Sequence, residues 1–425
     1  MSEIVEKKQF GFLEIEYWKL FGIWCLLFGV FSSCNPKTRN QSESAMKSFP
    51  KGTYGYDLNF LKKHTKPIEL QNGDSRVVVS PEYQGRVMTS SASGETGLSY
   101  GWLNHDLIAS GEKLKQINPV GGEERFWLGP EGGQYSIFFK SGSSFDFENW
   151  ATPASIDTEA FELVNSDKTS AEFFKSIQLR NYSDFEFSFD VNRKISLLTD
   201  EQIKSQLKVA YQDAVKTVGY ETANQLKNTG TESWTKETGL LSIWLLGMFN
   251  PSEEVTIVIP YKVDAESDYI VKDDYFGEIP ADRLVVKDGV VFFKGDGKQR
   301  GKIGIPPQRA LPVIGSYDAK NKVLTIVRCE IPEGVTDYVN SSWEIQEFPY
   351  KGDAINSYND GPLEDGSQMG PFYELETSSP ALKLEPGEVA VYKQSTIHFE
   401  GTEEELNALC QQIFDITLSE VKETF

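Results

Sequence analysis

Short β-rich runs recur from Val77 onward, separated by turn signals such as Asp288-Gly289, Asp365-Gly366 and Pro386-Gly387. Strands are expected at Gln134–Lys140, Ala171–Arg180, Phe185–Leu197, Glu253–Tyr261, Gly289–Lys294, Lys322–Ile331 and Val389–Phe399. Several alternate apolar with polar residues, as a half-buried antiparallel strand must. Phe185, Phe187, Phe189 and Val191 point one way, and Glu186, Ser188 and Asp190 the other. Two helices carry start signals. Thr199 with Gln202, then Ile203, Leu207, Ala210, Tyr211 and Ala214, marks one inserted among the strands, packed across a sheet. Thr402 with Glu405, then Leu406, Leu409, Cys410 and Ile413, marks one near the end of the sequence. Many strands with few helices predict an all-β, mainly antiparallel fold, a large sandwich with an inserted helix and a C-terminal helix. With no fixed-period repeat and no Pro-rich divider, residues 55–425 read as a single domain.

The N-terminal pattern is different. Leu20–Phe31 is an apolar run too short to cross the ~30 Å hydrocarbon core of a bilayer as a helix. Lys7, Lys8 and Lys19 precede it, and Ser32-Ser33-Cys34 follows. This layout predicts a signal peptide over residues 1–33. The site resembles the lipobox of bacterial lipoproteins, which implies acylation of Cys34, a flexible tether over 34–54 and an exported protein anchored by lipid in the cell envelope. A buried or membrane-anchoring helix is the alternative for the apolar run. The formal charge of −21 becomes −20 without residues 1–33, which hold three Lys and four Glu. An acidic chain lacks the basic stripe that nucleic-acid binding needs, so that partner is excluded. Cys329 and Cys410 read as small buried hydrophobes, with a disulfide between them left open.

Histidine is scarce, comprising His64, His105 and His398, and His64 in a Lys-rich run reads as solvated. There is no Gly-x-Ser-x-Gly elbow and no phosphate-binding Gly-rich loop, which argues against serine hydrolases and nucleotide-driven reactions. Three segments instead mix aromatic, acidic and amide groups. Gly121–Gly133 holds Arg125, Trp127 and Glu131. Tyr338–Pro362 holds Trp343, Asn356, Asn359 and Asp360. Gly370–Pro380 holds Glu374 and Glu376. That mix suits sugars, because indole faces cover C–H surfaces while carboxylates and amides bond vicinal hydroxyls. Each piece has a plainer reading. The tryptophans fit a core, Arg125 fits a bridge to Glu123 or Glu131, and 356–361 fits an Asx-rich turn. Glu374 and Glu376 fit a solvated strand face, and His398 a satisfied strand end. Asp264–Asp274 reads as a solvated turn because it lacks the spacing of a calcium loop. Neither a metal nor a cofactor is called for.

Tyr83-Gln84-Gly85-Arg86-Val87-Met88 resembles an early strand of galactose mutarotase-like proteins. Gly121–Glu131 is similar to a Gly-Gly…Trp-Leu-x-Pro-Glu segment in relatives of aldose 1-epimerase. Tyr220–Gly230 resembles the strand ending in Asn-Thr-Gly, and Phe372–Glu376 falls where that family carries its catalytic glutamate. The resemblance covers about residues 55–425 and implies a β-supersandwich with a sugar groove on one sheet. It implies Glu374 as the base, with Glu376 next in line. The acid role falls to His398 or His105, because no histidine lies between them. The implied groove combines Arg125, Trp127, Glu131, Glu374 and His398, with Glu131 and Glu374 as an alternative carboxylate pair for glycosidic cleavage. His105, Asn356, Asn359, Asp360, Trp343 and Glu376 are further ligand-binding candidates. The expected function is therefore that of a carbohydrate-active envelope protein, epimerase-like or glycosidase-like. The alternative is a non-catalytic glycan-binding lipoprotein that serves neighbouring glycan-degrading enzymes.

Overall fold

The computed structural model describes residues 47–425. The expected signal peptide, Cys34 and most of the tether lie outside these residues. The chain forms β1 (Ile68–Asn72), β2 (Ser75–Ser80), β3 (Arg86–Ser91) and β4 (Arg125–Gly129), then β5 (Glu162–Ser166), β6 (Ser170–Arg180), β7 (Glu186–Leu197) and β8 (Lys216–Asn228). Next come β9 (Ser242–Phe249), β10 (Val255–Pro260), β11 (Leu284–Lys287), β12 (Val290–Lys294) and β13 (Gly301–Ile305). The series ends with β14 (Val313–Asp318), β15 (Val323–Cys329), β16 (Ile355–Asn359), β17 (Tyr373–Ser378) and β18 (Val389–Glu400). A ten-stranded sheet runs β11-β12-β10-β14-β15-β18-β8-β7-β6-β5, a five-stranded sheet β13-β16-β17-β9-β4, and a smaller sheet β1-β2-β3. All ladders are antiparallel, as in β7 against β8 and β16 against β17. The all-β class expected from the alternating pattern is what the chain adopts.

The two large sheets pack face to face. Ser316 on β14 and Tyr373 on β17 share a hydrogen bond of 2.9 Å, and Thr377 on β17 donates to Gln394 on β18 at 2.6 Å. Phe187, Phe189 and Val191 are buried between the sheets, so the alternation over 185–191 sorted inside from outside correctly. The other face of the large sheet is covered by helices. In chain order the helices are α1 (Tyr54–His64), α2 (His105–Ser110), α3 (Ala154–Asp157), α4 (Asp200–Leu207), α5 (Glu403–Phe414) and α6 (Leu418–Lys422). Ile203 of α4 joins Leu406, Leu409 and Phe414 of α5 over Leu324, Ile326, Ile397 and Phe399. Both predicted capping boxes are present. None of the described helices is long and apolar enough to cross a membrane.

The structure corrects or decides four readings of the sequence. α4 stops at Leu207, where Lys208 turns left-handed, so Ala210, Tyr211 and Ala214 do not continue it. Gln134–Lys140 is not a strand but a looped segment whose consecutive apolar residues Ile137, Phe138 and Phe139 all enter the core. α1 forms where no helix was expected, burying Tyr54, Leu58 and Leu61. Cys329 and Cys410 are free and buried, in apolar clusters on opposite faces of the large sheet, which removes the disulfide.

One turn governs how β4 enters its sheet. Gly121 and Gly122 have φ of 92° and 112°, a region that disfavours side chains. A Cβ on Gly121 would stand 2.0 Å from the Trp102 carbonyl oxygen. Gly121→Ala therefore destabilises the protein by at least ~1–3 kcal/mol, read by denaturant unfolding. A change within ~0.5 kcal/mol, typical of a neutral surface site, would contradict this account of the turn.

Candidate functional site

The register of the five-stranded sheet gathers distant residues on its outer face. Arg125 pairs with Leu246 and Trp127 with Trp244 across β4 and β9. Glu374 pairs with Met248 and Glu376 with Leu246 across β17 and β9. Tyr358 and Asn356 on β16 oppose Glu374 and Glu376, and Lys302 on β13 opposes Tyr358. Because side chains alternate across a sheet, these positions share one face while Phe126, Leu128, Leu375 and Ile355 point to the core. Above that face is a groove lined by Arg125, Trp127, Glu131, Trp150, Trp244, Lys302, Trp343, Tyr358 and Glu374, with Phe147, Phe276 and Arg300 at its margin.

Ion pairing organises the floor. Arg125 Nη2 donates to Glu374 Oε1 at 3.1 Å, both side chains buried, and the guanidinium lies 3.8 Å from the Trp127 ring centroid. Lys302 Nζ donates to Glu376 Oε2 at 3.0 Å, and Trp244 Nε1 donates to the same oxygen at 2.9 Å. Trp343 Nε1 donates to Glu131 Oε1 at 3.1 Å, while the Glu131 amide is held by Ser341 Oγ at 3.1 Å. Trp343 also stacks on Trp150, with centroids 5.8 Å apart. At the margin the exposed Arg300 lies 3.9 Å from the Phe276 ring.

Burial drives Glu374 and Glu131 toward their neutral forms. It lifts Glu374 from 4.5 to about 7 against the pull of Arg125, with the nearby Glu376 adding to the rise. Burial lifts Glu131 too, opposed by Lys302 and the Trp343 donor. For Lys302, burial works against the ammonium, yet Glu376, Glu131 and Glu374 together hold it above the usual lysine range. Several buried polar atoms have no partner among the described residues: Arg125 Nε and Nη1, Trp127 Nε1, Trp150 Nε1 and Glu376 Oε1. The groove therefore offers donors and an acceptor beside a carboxyl that changes protonation near neutrality.

Of the sequence-derived candidates, Arg125, Trp127, Glu131, Trp343 and Glu374 line the groove, and Glu376 lies in its floor through Lys302 and Trp244. The plainer reading of Arg125 as a bridge to Glu123 or Glu131 gives way to its pair with Glu374. Glu374 and Glu376 are not solvated, and 356–361 is not a simple turn, because 355–359 is β16. Asn356 is buried and donates to the Ile303 carbonyl at 3.2 Å. Asn359 faces away from the groove, bonding Gly297 N and Gln299 O at 2.9 and 2.8 Å and so fixing the turn that carries Arg300. Asp360 accepts from Tyr358 Oη at 2.6 Å and from Gly370 N at 3.0 Å.

Both histidine candidates stand elsewhere. His398 is fully buried on the inner face of β18, stacked on Tyr100, with Nε2 3.1 Å from Glu123 Oε2 and Nδ1 2.9 Å from Thr325 Oγ1. His105 opens α2 and meets Asp57 at 2.7 Å beside Phe60. His64 is exposed as expected. Sequence reasoning missed Lys302, Arg300 and Trp244. Trp244 lies in Ser242–Phe249, buried throughout, so it offers no alternation to read. Lys302, a lone lysine inside the short strand Gly-Lys-Ile-Gly-Ile, was the available signal.

The chain belongs to DUF6786, described as a family of unknown function, which it matches over residues 52–425. No curated protein matches it. Among solved structures it is similar to Slr1438 protein from Synechocystis sp. PCC 6803, at 11% identity over 80% of this chain and 96% of that one, TM-score 0.47. It is also similar to a galactose mutarotase-like protein from Lactobacillus casei ATCC 334, at 9% identity over 78% and 100%, TM-score 0.45. A galactose mutarotase related enzyme from Lactobacillus acidophilus is similar at 12% identity over 80% and 99%, TM-score 0.43.

Glu374 binds its proton more tightly folded than unfolded, so its contribution to stability is complete below about pH 4.5 and is lost as pH rises through about 7. Denaturant unfolding between pH 5 and 8 checks this: Glu374→Gln removes part of the decline seen in the unaltered protein. An identical slope in both would contradict the raised carboxyl.

Proposed function

We propose that the groove binds a sugar and that Glu374 acts on it as a general base at the anomeric or adjacent carbon. The observation that carries this reading is the gathering of Arg125, Glu131, Glu374 and Lys302 with four tryptophans around one groove over the outer face of the five-stranded sheet. Indole rings suit the apolar C–H faces of a pyranose. The unpartnered nitrogens of Arg125, a residue lining the groove, suit its hydroxyls. A carboxyl raised to about 7 takes and returns a proton near neutral pH, which is what general acid/base chemistry demands. Glu131, itself lifted by burial, is the partner acid in place of a histidine. With these roles a proton leaves the anomeric hydroxyl for Glu374 while Glu131 delivers one to the ring oxygen, opening the ring.

A binding role without turnover is the second reading, and one observation favours it. Each groove carboxylate already has a protein donor: Arg125 for Glu374, Lys302 and Trp244 for Glu376, and Trp343 for Glu131. For location we propose export and lipid attachment through Cys34, which would hold the groove near the membrane beside glycan-degrading enzymes. Labelling of the intact cells' protein with a lipid precursor checks that assignment, and Cys34→Ala should abolish incorporation.

Anomeric exchange followed by NMR, with a panel of aldoses, separates the two readings. Glu374→Gln is expected to abolish any exchange above the buffer rate while leaving affinity within roughly tenfold, as for a group acting mainly in the transition state. Exchange that persists in the variant would overturn the base role, and failure of every aldose to bind would overturn the sugar reading. Trp343→Ala should weaken binding by ~1–3 kcal/mol, measured calorimetrically, as loss of a stacking ring predicts.

A further inference from the structure

A second hollow adjoins the groove and is larger, about 500 Å³ against about 110 Å³. Small-ligand sites occupy roughly 300–1,000 Å³, so the groove alone is undersized and its neighbour is not. The hollow is walled by Tyr269, Tyr275, Asn340, Gln346, Phe348 and Asp353. Its boundary with the groove is shared: Lys302 Nζ, in the groove, lies 5.8 Å from the Tyr275 ring centroid, and Asn356 Nδ2 donates to Tyr275 Oη at 3.4 Å. On the other side Ser342 lines the hollow while its chain neighbour Trp343 lines the groove.

The hollow is built from fixed parts. Asp353 is buried and accepts from Tyr269 Oη at 2.9 Å and from Tyr275 Oη, which sets both phenol rings. Gln346 Nε2 donates to the carbonyls of Asn340 and Ser342 at 3.0 and 2.8 Å, so the loop bearing Trp343 is closed on itself. Phe348 stands at the mouth, 51% exposed, with Lys351 Nζ 4.4 Å from its ring centroid. The two lysines of the hollow are committed, Lys272 to Asp274 at 2.7 Å and Lys351 to Asp268 at 3.3 Å. With Asp268, Glu344, Glu347 and Asp353 against Lys272 and Lys351, the lining among the described residues is net acidic, which disfavours an acidic sugar.

We propose that the ligand is a neutral oligosaccharide whose terminal ring sits in the groove and whose following units cross Trp343 into the hollow, stacking on Tyr275 and Phe348. This rests on the sugar reading of the groove and adds the substrate class. Titration calorimetry with neutral mono-, di- and trisaccharide ladders of gluco, galacto and manno configuration tests it. Affinity is expected to rise at least tenfold from one unit to three, Phe348→Ala to remove most of that gain, and Phe348→Trp to keep it. Monosaccharide binding without any gain with length would overturn the proposal while leaving the sugar groove standing. A gain untouched by Phe348→Ala would also overturn this path for the chain. Failure of every sugar at every length would overturn both readings.

Discussion

A charge taken out of water must be met by another charge or by dipoles, and in this protein that demand falls on one short stretch of chain, Glu123–Trp127. Glu124 turns inward and pairs with Arg193 at 2.7 Å, both side chains fully buried, while Gln394 serves its other oxygen at 2.8 Å. Arg125 turns outward and pairs with Glu374. Glu123 meets His398 and Ser90. Successive residues thus tie the five-stranded sheet to the ten-stranded one and to the groove floor. Removing one partner of such a pair is far costlier than the pair's net contribution, because the remaining charge stays buried. The position of β4, and with it the groove, is therefore fixed by electrostatics as much as by apolar packing.

The same constraint gives the groove its chemistry. Three carboxylates, Glu131, Glu374 and Glu376, and two cations, Arg125 and Lys302, sit close together under indole rings, where water screens poorly. Glu374 and Glu131 are each stabilised by a donor yet pressed toward neutrality by burial, and Glu374 is left near the midpoint of its titration at neutral pH. Aromatic rings supply shape: Trp127 carries Arg125, Trp244 and Trp343 hold carboxylates, and Phe147 and Phe276 frame the opening.

Alternation made the ten-stranded sheet legible, because strands such as β7 and β18 have one helix-covered or solvent-facing side and one core side. It failed for β9, β16 and β17, whose residues are buried on both faces, so polar and apolar positions no longer mark inside and outside. Arg125, Trp127 and Glu131 were readable as a cluster between glycine pairs, and Glu374 as an acid beside aromatics. Lys302 was hidden because one lysine in a short strand looks like an edge charge. His398 misled for a chemical reason: scarcity made it the natural acid, but its strand parity, shared with Tyr392, Gln394 and Thr396, points it into the core. Consecutive aromatics at Phe138-Phe139 mimicked a strand while serving as a loop that packs Phe138 against Trp127 and Trp150.

The groove is the proposed place where ligand and protein meet. Methionine methyl groups report on that directly, because Met248 and Met369 line the groove whereas Met88 is enclosed in a separate apolar cluster with Leu58 and Val78. In methyl-labelled protein titrated with a binding saccharide, the Met248 and Met369 resonances are predicted to shift together with a single affinity while Met88 stays in place. Saturable binding that leaves Met248 and Met369 unmoved would contradict it.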